Sequence, residues 1–185
     1  MAAATFDPNP TKTKPATGLV TKIGLRFGVG AGLVCAIWMV ALQLTGNNGF
    51  GPKQIMAQLF VPLAAVTSEW VLRRRLKPER PGLGRSLGVG LLTVLVAALV
   101  SASSLVGIAQ VAGEKAIAVN RAEILEIVHT QQRENSKVKL SEQELQQQLQ
   151  KVEKITVGDM AVSNFIQLVL LGLTLALPGG IFLRE

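Results

Sequence analysis

Side chains that carry chemistry are scarce in this 185-residue chain: it has one cysteine, one histidine and no tyrosine. The lone cysteine excludes an intrachain disulfide. Cys35 follows Gly32-Leu33-Val34 and lies inside a long apolar run. It is expected to be a small lipid- or helix-facing residue, not a lipoprotein cysteine. His129 stands among Thr and Gln, with no second His, Cys or acidic pair at ligand spacing. It reads as solvated, and a metal site has no ligand set. Catalysis needs clustered titratable groups, and none cluster here. The expectation is therefore a non-enzymatic protein with no cofactor and no metal.

Charge is also depleted. Charged residues make up 17% of the chain, against about a quarter in soluble domains. The net charge of +7 and pI near 10 raise the question of nucleic acid. A nucleic-acid binder gathers Lys and Arg on one folded face with aromatics among them. Here aromatics are 4% of residues and the basic side chains flank apolar runs. They read as topology determinants and contacts to anionic lipid, so no nucleic acid is expected.

Apolar sequence is what the chain has in abundance. Four runs, roughly Ile23–Thr45, Ile55–Leu72, Leu87–Val111 and Ala161–Leu183, stand out. At about 1.5 Å rise per residue, about 20 helical residues cross a hydrocarbon core ~30 Å thick. The expected fold is an all-α membrane protein: a four-transmembrane-helix bundle with an extramembrane helical hairpin between spans 3 and 4. The expected organisation is a disordered cytoplasmic tail over 1–22 and spans 1–3 over 23–111. A periplasmic or external hairpin occupies 112–158, and span 4 with a short tail occupies 159–185. The first run is too long for a cleaved signal peptide, and no A-x-A site follows it.

Orientation follows basic residues near span ends. One side carries Lys12, Lys14, Lys22 and Arg26, the six basic residues between Arg73 and Arg85, and Arg184. The other has Lys53 and a connector whose seven basic residues are offset by eight acids. Both termini are therefore expected inside, N-in and C-in. Trp70 beside the arginines fits an interfacial belt, whereas Trp38 within span 1 reads as a packing residue.

Gly24, Gly28, Gly32 and Ala36 recur every four residues, so they share one helix face. Small residues at that spacing let helices approach closely in lipid, and this stripe is the expected packing and oligomer surface. The faint phosphate-loop echo in Gly28-Val29-Gly30-Ala31-Gly32 has no preceding strand. Gly84 and Gly88, with Ser101 and Ser104, suit a crowded interface in span 3. Pro62 and Pro178 are expected to bend spans 2 and 4. Ionisable residues within spans are candidates for function by default, and two exist. Arg26 and Glu69 lie at similar depth and are the candidate intramembrane ion pair; the alternative partner of Glu69 is the Arg73–Arg75 cluster.

In the connector, Ile117, Ile124, Leu125 and Val128 form one helical stripe. The segment Arg133–Lys139 reads as a turn. Ser141-Glu142-Gln143-Glu144 is a capping box, with Leu140 and Leu145 at its staple positions. Leu145, Leu149 and Val152 continue a second stripe. The two stripes can zip into a hairpin that projects, or can lie on the membrane surface. Gly158 is the expected helix stop, with Asp159 capping span 4.

This order of elements resembles a family of small four-helix membrane proteins of unknown function frequent in Bacteroidota, the domain of unknown function 4199. The parts that carry the likeness are Gly24–Leu44, Arg73–Arg85, Leu87–Val111, the Leu140–Leu145 helix start and Asn164–Glu185. The resemblance implies a bacterial inner-membrane location, and it brings no activity and no catalytic residue. The expected function is that of an accessory or interaction subunit, with the lipid bilayer as its medium. A homo-oligomer or protein partner would be engaged through 114–158. The alternative is a component of a small-molecule or ion transporter.

Overall fold

A computed structural model describes residues 14–78, 80–134 and 141–183, which are helical apart from short connections. The helices are α1 (Lys14–Leu44), α2 (Ile55–Gln58), α3 (Phe60–Leu76), α4 (Leu83–Glu134), α5 (Glu142–Glu153) and α6 (Val157–Phe182). A 3-10 turn, Pro52–Gln54, leads into α2. Four stretches are long and apolar enough to cross a membrane: Gly18–Leu44, Pro52–Leu76, Leu83–Arg133 and Val157–Phe182.

The distribution of polarity says what solvent surrounds the bundle. Ile37, Leu63, Leu99, Ile166 and Leu170 are all more than half exposed, while Gln58, Ser68, Glu69, Thr93 and Asn164 are buried. A surface this apolar exceeds what a soluble monomer shows. In lipid the arrangement is natural, because polar groups must be kept away from hydrocarbon. The chain is therefore a multi-pass helical membrane protein. One end of its bundle carries Arg73–Arg75 and Arg85 and is termed the arginine end; the opposite end is the amide end.

Close approach holds the helices together. A β-carbon on Gly28 would meet Val96 Cβ at 2.6 Å and the Thr93 carbonyl at 2.8 Å. Gly24 faces Leu92 and Gly32 faces Val100 in the same way. The glycine stripe of α1 is thus filled by α4 of the same chain and is not left open to a second copy. Half-buried Ala36 continues the stripe. Gly172 of α6 receives Val94 from the other side of α4. The middle of the bundle is correspondingly small-grained: Ala31, Ala57, Ala65, Ala97, Ala98 and Ala176 pack with Val61, Val94 and Leu168. Cys35 lies in this layer, its thiol donating to the Ala57 carbonyl at 3.7 Å.

Several expectations are corrected. Residues 14–22 belong to α1 and are not an unstructured tail; residues 1–13 lie outside the described residues. The reason is an apolar stripe, Leu19, Val20, Ile23 and Phe27, that packs on Val71, Leu72 and Leu76. Pro62 lies near the middle of the Pro52–Leu76 span, and the helix is interrupted just before it, stepping from α2 to α3 at Leu59. A proline there cannot donate to the Gln58 carbonyl four residues earlier. Pro178 lies inside α6. Gly84 and Gly88 face open space. Trp38 is not packed inside: it is partly exposed, and its indole N–H donates to the Lys53 carbonyl at 3.0 Å. At the arginine end, Arg74 lies over the Trp70 ring, 5.4 Å from its centroid.

Beyond the third span, α4 kinks at Gly113, with φ 71° and ψ −177°. That conformation is essentially restricted to glycine, so the joint between the first part of α4 and the arm that follows it is written into one residue. The arm runs on to Glu134, so the first two residues of the expected Arg133–Lys139 turn are helical; the rest of that turn and the staple residue Leu140 lie outside the described residues. Helix α5 then begins with the capping box, Ser141 Oγ accepting from the Glu144 amide at 3.3 Å. The Ser141 backbone amide and hydroxyl both donate to the Glu144 carboxylate, which holds that carboxyl below its ordinary range. Because the folded form favours the ionised group, this cap is present at neutral pH and is lost as pH falls through the lowered value. Gly158 does not stop a helix. Thr156 is the N-cap of α6 and Asp159 is its reciprocal partner, so Gly158 lies in the first turn.

Overpacking at the α1–α4 contact is expected to destabilise by about 1–3 kcal/mol. Gly28→Ala should lower the melting temperature of the purified protein. Gly30→Ala, on an exposed face with nothing within 4 Å of the new methyl, should leave it unchanged or raise it.

Candidate functional site

Two polar regions lie within the bundle, separated by the alanine-rich layer. The first opens at the amide end as a vestibule of about 540 Å³, lined among others by Gln54, Leu105, Asn120, Ile124, Ser163 and Asn164. Three segments distant in sequence build its walls. The loop after α1 arrives through Asn48, whose amide donates to Asn120 Oδ1 at 2.9 Å and to the Glu123 carboxylate. Asn48 Oδ1 in turn accepts from the Phe50 amide. The α5–α6 linker arrives through Ile155, whose carbonyl accepts from Arg121 Nη2 at 2.7 Å and Nε at 3.2 Å. A guanidinium there also meets the negative end of α5. Arg121 further pairs with Glu114 at 3.0 Å. Below the polar rim, Met39, Phe50, Leu105, Ile117 and Met160 form an apolar collar.

The vestibule floor is a chain of amides and hydroxyls. Asn164 Nδ2 donates to Gln54 Oε1 at 2.9 Å, and Asn164 Oδ1 accepts from Ser101 Oγ at 3.0 Å. One side chain from α6 thus ties the start of the second span to the third. Beneath it, Gln58 is buried with its carbonyl oxygen unpaired among the described residues. Then Val61, Ala65, Val94, Ala97, Ala98 and Leu168 fill the interior.

The second polar region lies toward the arginine end. Thr93 Oγ1 lies 2.8 Å from the Val89 carbonyl and 2.9 Å from Ser68 Oγ, its one proton serving either, and Ser68 donates to the Ala65 carbonyl. Next to Ser68, Glu69 is wholly buried, and neither carboxyl oxygen has a hydrogen-bond partner among the described residues. The expected ion pair is therefore not formed. Arg26 is exposed, and the ion pair found among the described residues is Arg121–Glu114. The same observation removes the alternative pairing with Arg73–Arg75. Helical geometry explains the mismatch. Arg26 is two residues, about 200° of rotation, from Gly24 and Gly28, which face α4. It thus points away from the bundle, whereas Glu69 shares the inward face of α3 with Ala65 and Leu72.

Among the described residues no three His, Cys, Asp or Glu side chains could hold a metal ion. His129 is exposed. The residues missed by sequence reasoning are the amides Gln54, Gln58, Asn120 and Asn164. For Gln58 and Asn164 the signal was present, since an amide inside an apolar run is itself unusual and bonds across helices; Gln54 and Asn120 lie outside the apolar runs and carried none. Screening spans for ionisable groups alone passed over it.

The fold and its interior define a four-span helical membrane protein. Its sequence from residue 26 to residue 185 matches the family described as "Protein of unknown function (DUF4199)". The chain belongs to that family. Comparison with curated proteins and with solved structures gives no match.

The Asn164 bridge can be tested directly. Asn164→Leu leaves Gln54 Oε1 and Ser101 Oγ unpaired in the interior and should destabilise by about 1–2 kcal/mol. Adding Ser101→Ala and Gln54→Leu should recover part of that loss in a denaturation series.

Proposed function

We propose that this protein is a non-enzymatic accessory subunit of a bacterial inner membrane. In this reading both termini lie inside, and the vestibule with residues 114–158 is presented outside to a protein partner. The observation that carries it is the filled middle of the bundle: a layer of Ala, Val and Leu side chains separates the vestibule floor from Ser68 and Glu69. The open polar surface is gathered at one end, and there Asn48, Asn120, Arg121 and Ile155 lock three segments into one frame. Such a preformed frame suits docking, because little ordering remains to be done on association. Basic side chains concentrated at the other end support the orientation. The arm of α4 and helix α5, which carries Val152 buried and Leu145 and Leu149 half-buried on one face, form the outer element of this reading.

A second reading, a component of a small-molecule or ion transporter, draws on the vestibule itself. Its floor of amides lies within the apolar spans, where a polar solute would need hydrogen-bonding groups.

Membrane orientation is open to thiol labelling. Cys35 is buried, so the native background is low. Lys77→Cys should label only from the inner face of intact cells or vesicles, and Thr130→Cys only from the outer face. Both labelling from one face would remove the orientation and the outward surface with it.

Partner engagement is tested by a photo-crosslinking residue at exposed position Glu126 or Thr130, with lipid-facing Leu170 as the control. A discrete adduct with one protein from the arm positions alone supports the accessory reading. Solute flux by the purified chain in vesicles, abolished by Asn164→Leu, favours transport instead.

A further inference from the structure

Glu69 occupies space that two other helices leave for it. A β-carbon on Gly90 of α4 would collide with Glu69 Oε1, and one on Gly179 of α6 would collide with Oε2. The carboxyl is therefore gripped between two glycine backbones, with Val66 of its own helix at the Gly179 side. Four residues before Gly90, and so on the same face of α4, Ser86 is also wholly buried with an unpaired hydroxyl. Three oxygens, two from Glu69 and one from Ser86, are thus enclosed without partners among the described residues. Isolated buried carboxylates are among the most unfavourable groups a protein can hold, and within membranes they persist where they serve a purpose.

The surrounding charges do not compensate it. On α3 the next cationic residue is Arg73, which is half-buried; on α4 it is Arg85, which is exposed; and on α1, Lys22 and Arg26 are exposed. None forms an ion pair with Glu69. The described part of α6 has one charged residue, Asp159, at its far end.

We propose that Glu69 is the seat of a small exchangeable cation, a proton or a sodium ion, enclosed between α3, α4 and α6 at Gly90 and Gly179. The enclosure suits a small cation: the alanine-rich layer closes it from the vestibule side, and the carboxyl oxygens themselves fill the space over Gly90 and Gly179. A proton needs only the carboxyl itself. Sodium would use the carboxyl oxygens and further oxygens of the three helices, for which the unpartnered Ser86 hydroxyl, one turn from Gly90, is the side-chain candidate. Occupancy stabilises the α3–α4–α6 contact, because whatever binds only the folded chain stabilises it by mass action. This inference is independent of whether the vestibule recruits a partner or a solute.

The test uses the full-length protein in detergent and compares it with Glu69→Gln, which keeps the shape and removes the charge. Melting temperature is followed from mildly acidic to mildly alkaline pH, in choline and in sodium buffer. For a proton, the wild-type melting temperature falls as pH rises, by about 3–5 °C per pH unit, and Glu69→Gln lacks that slope. For sodium, addition of the ion at alkaline pH raises the wild-type melting temperature and leaves Glu69→Gln unmoved. Identical profiles of the two proteins overturn the proposal. A second measurement uses wild type alone, so it survives failure of the variant to fold. A membrane-soluble carbodiimide should modify Glu69, read by peptide mass, and alkaline pH or sodium should slow the modification. Absence of the adduct, or an adduct indifferent to both pH and sodium, also overturns it.

Discussion

Helices in lipid gain nothing from hiding grease from water, so everything in this bundle depends on how closely backbones can meet. That constraint assigns the residues without bulk. Gly24, Gly28 and Gly32 let α1 lie against α4, and Gly172 lets α6 do so from the opposite side. With α4 clasped on both flanks, the alanine layer at mid-depth closes. The third span is the hub, and the polar groups that must avoid hydrocarbon are collected around it.

Those polar groups fall into two populations with different solutions. At the amide end most are answered, by side chains or backbone: Asn48 by Asn120 and Glu123, Asn164 by Gln54 and Ser101, Arg121 by the Ile155 carbonyl, with Gln58 Oε1 and Gln43 Nε2 left over. A satisfied network of this kind rigidifies what it joins. At the arginine end Ser68 and Thr93 satisfy each other and nearby carbonyls, while Glu69 and Ser86 stay unanswered. What distinguishes the arginine end is that its unanswered group is a carboxyl, far costlier to bury unpaired than an amide.

Much of the architecture was legible from one dimension, for physical reasons. Span length and apolar content are local properties, and so is the Ser141–Glu144 cap, whose two members are three residues apart. The glycine stripe was also legible as a packing surface, since its period is that of the helix. Its occupant was not, because nothing within α1 distinguishes a helix of the same chain from one of another. Glu69 was visible as an anomaly, but its surroundings were supplied by Gly90 and Gly179 from spans remote in sequence. A glycine that receives another residue's carboxyl looks like any other glycine. Pro62 was legible because a missing backbone donor acts locally, and the break at Leu59 lies within one turn of it. Trp38 was misplaced because its partner is a backbone carbonyl, which leaves no mark in the sequence.

The glycine joint in α4 has a mechanical corollary. Where φ turns positive at Gly113, the continuous ladder of backbone hydrogen bonds that would make span and arm a single rigid rod is interrupted. The tilt of the arm is consequently governed by its moorings, Asn120 and Glu123 to Asn48 on one flank and Arg121 to Ile155 on the other. A tug on the arm is delivered sideways into the α1–α2 loop and the head of α6, and only weakly along the axis of the third span.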